Sequence, residues 1–178
     1  MMKKILVMAV VAIMTAVSAN AQSDLSNEIS VAYGGGANSD IVSSIAKGMF
    51  TGEQLNYWGP ISAEYFHYND GGRVAFGAVA AVSGCKWEDN SDAKSTYITL
   101  MPAFKYKWVN SDMFGLYSKA AVGATLMKDS GFDKNESRVM FNWQLSLLGL
   151  EFGKQFRAFA EVGMGEQGIV LGGVRVRF

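Results

Sequence analysis

The amino-acid sequence predicts an all-β fold, eight antiparallel strands closed up-and-down into a barrel, with one short helix in the first long connection. Three observations predict it. Segment after segment alternates apolar with polar or small residues at period two, the spacing of a strand with two unlike faces. Glycine and aromatics are abundant, with 20 Gly, 11 Phe, 7 Tyr and 4 Trp against 2 Pro. Hydrophobic residues make up 49% of the chain, yet after residue 21 no apolar run reaches the roughly 20 residues that a spanning helix needs.

The chain starts with the three parts of a secretory leader: Lys3 and Lys4, an apolar run from Ile5 to Val17, and Ala19-Asn20-Ala21 as a small-x-small cleavage site. Residues 1–21 are therefore expected to be removed, leaving a single domain over 22–178. The leader takes two lysines from 16 basic residues and nothing from 16 acidic ones, so the processed chain is slightly acidic and offers nothing to nucleic acid. Cys85 is alone and cannot form an intramolecular disulfide; it reads as a small strand residue.

The strands follow in order. Ile29, Val31 and Tyr33 oppose Glu28, Ser30 and Ala32. From Asp40 to Phe50, Ile41, Val42, Ile45, Ala46 and Met49 recur at helical spacing behind an Asp40 cap, which predicts a short amphipathic helix. Tyr57, Ile61, Ala63, Tyr65 and His67 then oppose Trp58, Ser62, Glu64 and Phe66. Val74, Phe76, Ala78, Ala80 and Val82 alternate with Ala75, Gly77, Val79 and Ala81. Ile98, Leu100, Pro102, Phe104, Tyr106 and Trp108 face away from Thr99, Met101, Lys105 and Lys107. Phe114, Leu116, Ala120, Val122, Ala124 and Leu126 back onto Gly115, Tyr117, Lys119, Gly123 and Thr125. Val139, Phe141, Trp143, Leu145 and Leu147 oppose Asn142, Gln144 and Ser146. Phe156, Ala158, Ala160, Val162 and Met164 oppose Arg157, Phe159 and Glu161. Val170, Val174, Val176 and Phe178 oppose Arg175 and Arg177.

Turn chemistry sets expected registers. A two-residue type I′ turn at Asp70-Gly71 pairs His67 with Val74 and Tyr65 with Phe76. A three-residue turn at Asn110-Ser111-Asp112 sets Trp108 against Phe114 and Tyr106 against Leu116. A tight turn at Glu166-Gln167-Gly168 sets Phe156 against Phe178. In all three, apolar faces meet apolar faces.

Alternation alone does not say which face meets water, and a soluble lipocalin-like carrier would carry its charges outside. Small residues mixed with opposite charges suit a packed polar lumen, since eight strands leave an interior that side chains fill. The expected lumen network is Glu64, Lys105, Lys119, Glu161, Arg175 and Arg177, with Glu28 and Arg157 on the same face and an ion pair between Glu161 and Arg175. Aromatics gather toward two rims: Tyr65, Tyr106, Trp108, Phe114, Phe156 and Phe178 at one, Tyr33, Tyr57, Trp87, Phe141 and Trp143 at the other. Two girdles match the two interfaces of a bilayer. Short connections alternate with longer, more polar ones, which puts both termini in the periplasm. The connection near Gln167 is unusually short for its side.

On these residues the chain resembles the small outer-membrane barrels typified by outer-membrane protein X and the transmembrane domain of outer-membrane protein A. The resemblance covers Gln22 to Phe178 by pattern. Its most specific part is Val174-Arg175-Val176-Arg177-Phe178, similar to the terminal signal read by the barrel assembly machinery. The junction at Ala21-Gln22 and the strand style resemble porin-family barrels of Bacteroidetes. The resemblance implies a Gram-negative outer-membrane protein that meets periplasmic chaperones and the assembly machinery during biogenesis and is a monomer surrounded by outer-membrane lipid. Val174, Val176 and Phe178 would then be the assembly signal.

Function follows as an expectation: a non-enzymatic envelope protein that presents surface loops for structure, adhesion or surface interaction, with a packed, non-conducting lumen and no cofactor. A lipid A-modifying deacylase or palmitoyltransferase is the first alternative. That chemistry needs a nucleophile and a base, and the one histidine, His67, falls beside the Asp70-Gly71 turn, on the periplasmic side. Lone His67 and lone Cys85 have no metal-ligand spacing. Tyr33-Gly34-Gly35-Gly36 lacks the Lys-Ser/Thr of a phosphate loop and reads as a flexible exit from the first strand.

Overall fold

The computed structural model describes residues 26–38, 55–87, 94–130 and 137–178. The expected leader and the expected helix over 40–50 lie outside the described residues. Eight strands run in order: β1 (Asn27–Gly35), β2 (Leu55–Tyr68), β3 (Val74–Trp87), β4 (Lys94–Asn110), β5 (Phe114–Ser130), β6 (Ser137–Gly153), β7 (Phe156–Gly165) and β8 (Val170–Arg177). Each pairs antiparallel with its neighbours in sequence, and β8 returns to β1, so the sheet closes and has no edge along that seam. Asn27 and Phe178 complete the closure by exchanging backbone hydrogen bonds of 2.9 and 3.0 Å.

The two faces of this closed sheet are inverted relative to a water-soluble barrel. Tyr33, Phe76, Leu100, Trp108, Phe141, Phe152 and Val170 point outward and are each more than half exposed. Eleven charged residues are buried inside. Both follow from period two, which sends consecutive side chains to opposite sides.

Parity survives where register does not. In the β2–β3 hairpin Tyr65 pairs with Ala78 and His67 with Phe76, two residues beyond the expected register. A type I′ turn needs positive φ at both central residues, but among the described residues no non-glycine has positive φ, and in this turn only Gly72 does, at 63°. Asn69 N–H instead donates to Val74 O at 2.9 Å, and Val74 N–H to Asn69 Oδ1 at 3.1 Å, leaving Asp70 to Arg73 as the loop. The last hairpin likewise pairs Phe156 with Val176, not Phe178.

At β4–β5, Ser111 N–H donates to Phe114 O at 2.9 Å, so the turn is Asp112-Met113. Val109 then faces Leu116, and a bulge at Trp108 absorbs the odd residue before Tyr106 meets Ser118. Two more bulges lie between Trp58 and Ile61 in β2 and at Leu147 in β6, the latter opposite Ser118 of β5. Each reverses parity for the residues beyond it. Trp58, expected on the charged face, is therefore 40% exposed. Leu147 and Leu148 both point outward, after which Leu150 and Phe152 face out and Glu151 faces in.

Candidate functional site: a charged, side-chain-filled lumen

The interior is filled by side chains, layer on layer, from the end with short turns to the end with long connections. At the short-turn end Arg157 sits at the start of β7 and staples two turns together. Its Nε donates to Lys154 O at 2.8 Å, and its Nη2 to Ser111 O and Asp112 O at 3.2 and 3.0 Å. Its Nη1 donates to Glu151 Oε1 at 2.8 Å. Glu151 also accepts from Lys107 Nζ, from Arg177 Nη2 at 2.9 Å and from Arg175 Nη1 at 2.7 Å. One carboxylate thus meets four cations.

The next layer is built on Glu28, which accepts from Lys105 Nζ at 2.6 Å, Arg177 Nε at 3.1 Å and Tyr68 Oη at 3.0 Å. Arg175 stacks above it, its guanidinium carbon 3.7 Å from the Phe159 ring centre and 4.8 Å from that of Tyr117. Flat aromatic faces suit a cation removed from water. Gly149 leaves the Tyr117 ring its seat, for a Cβ there would overlap the ring.

Tyr117 links this layer to the one above. Its hydroxyl accepts from Arg175 Nη2 at 2.6 Å and donates to Glu161 Oε1 at 2.7 Å. Lys119 Nζ bridges Glu64 and Glu161, the latter at 2.7 Å, while Ser30 and Ser146 hydroxyls donate to the same two carboxylates. Glu161 and Arg175 themselves stand 3.5 Å apart.

The long-loop end is closed by the β7–β8 turn, which folds into the barrel. Gln167 is fully buried and its Nε2 donates to Ser62 Oγ at 2.9 Å and Glu64 Oε1 at 2.8 Å. Its backbone N–H donates to Gln144 Oε1 at 2.7 Å. Glu166 accepts from Asn142 Nδ2 at 2.8 Å and reaches Thr99 of β4. Positive φ at Gly165 (137°) and Gly168 (107°) makes the inward fold possible. Gly34 of β1 leaves room for it, since a Cβ at Gly34 would collide with Gln167 O.

Burying a charge is costly unless it is paired and hydrogen-bonded. Here six cations (Lys105, Lys107, Lys119, Arg157, Arg175, Arg177) face five carboxylates (Glu28, Glu64, Glu151, Glu161, Glu166), so the described interior is close to neutral. All six residues of the expected network are among them. Glu151 was not in that network because the bulge at Leu147 hides its parity; the Leu147-Leu148 doublet followed by Gly149 was the only sign. Glu166 and Gln167 read from the sequence only as part of a tight turn; their short, glycine-flanked connection is the clue to the inward fold.

Outside, Tyr65, Trp108, Phe114, Phe141 and Phe156 are exposed, and Tyr106 packs edge-on against Trp108 at 4.8 Å. Trp143 is half-buried. Phe76 and Phe104 add an outward pair 5.3 Å apart. On β8, Val174 is outward and 48% exposed, whereas Val176 is covered between Phe156 and Ile29, and Phe178 is half-buried. His67 is outward, its Nδ1 3.0 Å from Asn27 Oδ1. Cys85 is buried, and the described residues contain no cluster of potential metal ligands.

No family model matches the chain. No curated protein matches it either. Among solved structures it is similar to Ail, the attachment invasion locus protein of Yersinia pestis, at 15% identity and a TM-score of 0.46, over 85% of this chain and 96% of that one. It is equally similar, at 16% identity and the same TM-score, to Ail in complex with the heparin analogue sucrose octasulfate. At this distance the likeness says nothing of what this chain binds.

Proposed function

We propose that this chain is an integral outer-membrane β-barrel of a Gram-negative bacterium, exported by its leader, that presents its long connections at the cell surface and performs no catalysis. The observation that carries the proposal is the inversion of faces. Large apolar side chains cover the outside of all eight strands while paired charges fill the inside. Such an apolar surface far exceeds what a monomer exposes to water and is matched by hydrocarbon. A soluble carrier would need the opposite arrangement and an interior cavity for cargo.

A non-conducting lumen is supported by the Arg157 staple at one end, the Glu166-Gln167 turn at the other and continuous ion pairs between. Against a lipid A-modifying enzyme, the sole histidine lies outside the lumen with an amide as its hydrogen-bond partner, not a hydroxyl nucleophile or a carboxylate. Short turns in the periplasm would place both ends of the barrel there. Val174, Val176 and Phe178 would serve the assembly machinery.

The test is membrane fractionation with surface proteolysis, a heat-modifiable band on a cold gel, and bilayer conductance of the refolded protein. The proposal expects outer-membrane recovery, protease cuts confined to the long connections and no unitary current. Recovery of processed protein in the detergent-free periplasmic fraction would overturn it.

A further inference from the structure

Two of the three bulges stand at one height, Trp108 in β4 and Leu147 in β6, with Ser118 of β5 between them. They are tied in a row on the outer wall. Trp108 Nε1 donates to Ser118 Oγ at 2.9 Å, and Ser118 Oγ donates to Leu147 O at 2.7 Å. Bulges re-aim side chains and recur at barrel rims. Here they open a groove of about 480 Å³ that runs along β5 on the outer face, walled by Phe104, Tyr106 and Trp108 on one side and Leu145 on the other, with Ala120 in its floor. A second hollow of about 320 Å³ between Phe76, Pro102 and Val122 continues it past Phe104 and Ala120 toward the middle of the belt.

We infer that this groove is a binding site for one acyl chain of a glycerophospholipid in the leaflet on the short-turn side. The inference rests on the membrane reading above, and its occupant follows from continuity with the apolar belt. The groove opens only outward, so what fills it comes from whatever surrounds the barrel. Its apolar length points toward the bilayer centre, and its polar row lies at the rim of the short turns, where an ester or glycerol oxygen would sit. Side-chain hydroxyl and indole groups at that depth suit the boundary between acyl chains and headgroups. The exposed charges of the neighbouring turns, Asp70, Arg73, Asp112 and Lys154, balance, so the site selects a chain and not a headgroup charge.

The test uses a protein whose Trp108 is its sole tryptophan (Trp58→Phe, Trp87→Phe, Trp143→Phe), folded in detergent and titrated with phosphatidylethanolamine or phosphatidylglycerol carrying brominated acyl chains. Saturable quenching at one lipid per barrel is expected, equal for the two headgroups. Ala120→Phe, which fills the floor, should abolish saturation; Ala124→Phe, farther along β5, should not. If Ala120→Phe gives no heat-modifiable band, Ala120→Leu takes its place. Linear quenching that is alike in all variants would overturn the site, as would equal displacement of the brominated lipid by lipid A. Failure of the parent protein to give a folded band in any detergent would instead count against the membrane reading.

Discussion

Glu151 and Arg175 meet at 2.7 Å in the lumen, both fully buried, although the alternation that runs through β6 up to Leu147 puts position 151 on the outer face. The pair exists because the bulge there adds one residue and turns the rest of the strand over. Removing the charge at Glu151 takes the carboxylate partner from Lys107 and Arg157 and leaves them beside Arg175 and Arg177, which keep Glu28. Glu151→Gln should therefore cost about 3–5 kcal/mol, read as a lowered urea midpoint in detergent; an unchanged midpoint would show that solvent reaches the cluster.

Glu161→Gln should cost distinctly less than Glu151→Gln. Lys119 keeps Glu64, and Arg175 keeps Glu151 and Glu28, so no cation is left alone. The ordering of the two midpoints is the check, and a reversal would contradict the assignment of Glu151 as the hub.

Gln167→Ala removes two buried hydrogen bonds to β2 and should destabilise by about 1–3 kcal/mol. Conductance should stay at baseline, because Lys119, Glu64 and Glu161 still fill the layer beneath. Step currents in the variant would show that the turn alone seals the barrel.

Adjacent glycines should respond differently to one methyl group. A Cβ at Gly34 meets Gln167 O, while at Gly35 it meets nothing within 4 Å. Gly34→Ala should cost about 1–3 kcal/mol by overpacking, and Gly35→Ala should stay within about 0.5 kcal/mol of the parent. Equal losses would mean that the turn does not dock against β1.

Depth along the outer wall gives a further test. Leu100→Arg, in the middle of the belt, should cost about 2–4 kcal/mol, and Val139→Arg, near the long-loop rim, about 0–1 kcal/mol. Both side chains are more than 60% exposed, so a barrel surrounded by water would tolerate both alike.

The sequence carries the fold through parity, a local property: β3, β4 up to Lys107 and β7 alternate without interruption, and their faces can be read residue by residue. Register needs turn geometry, and Asp70-Gly71 misleads because the left-handed residue is Gly72, one place later. Bulges at Trp108 and Leu147 barely alter the composition of a strand and are fixed by its neighbours, so in β6 only the Leu147-Leu148 doublet hints at Glu151. The inward turn of Glu166-Gln167 depends on the space left by Gly34, more than a hundred positions earlier.

The bonds inside the lumen join distant parts of the chain: Arg177 to Glu28 across 149 positions, Gln167 to Ser62 across 105, Lys105 to Glu28 across 77. A sheet lacking β1 and β2 could make none of these three bonds and would leave the guanidinium of Arg177, the amide of Gln167 and the ammonium of Lys105 without those partners. On the proposed membrane reading, closure of the barrel is expected to be slow, because so many of its contacts are remote in sequence.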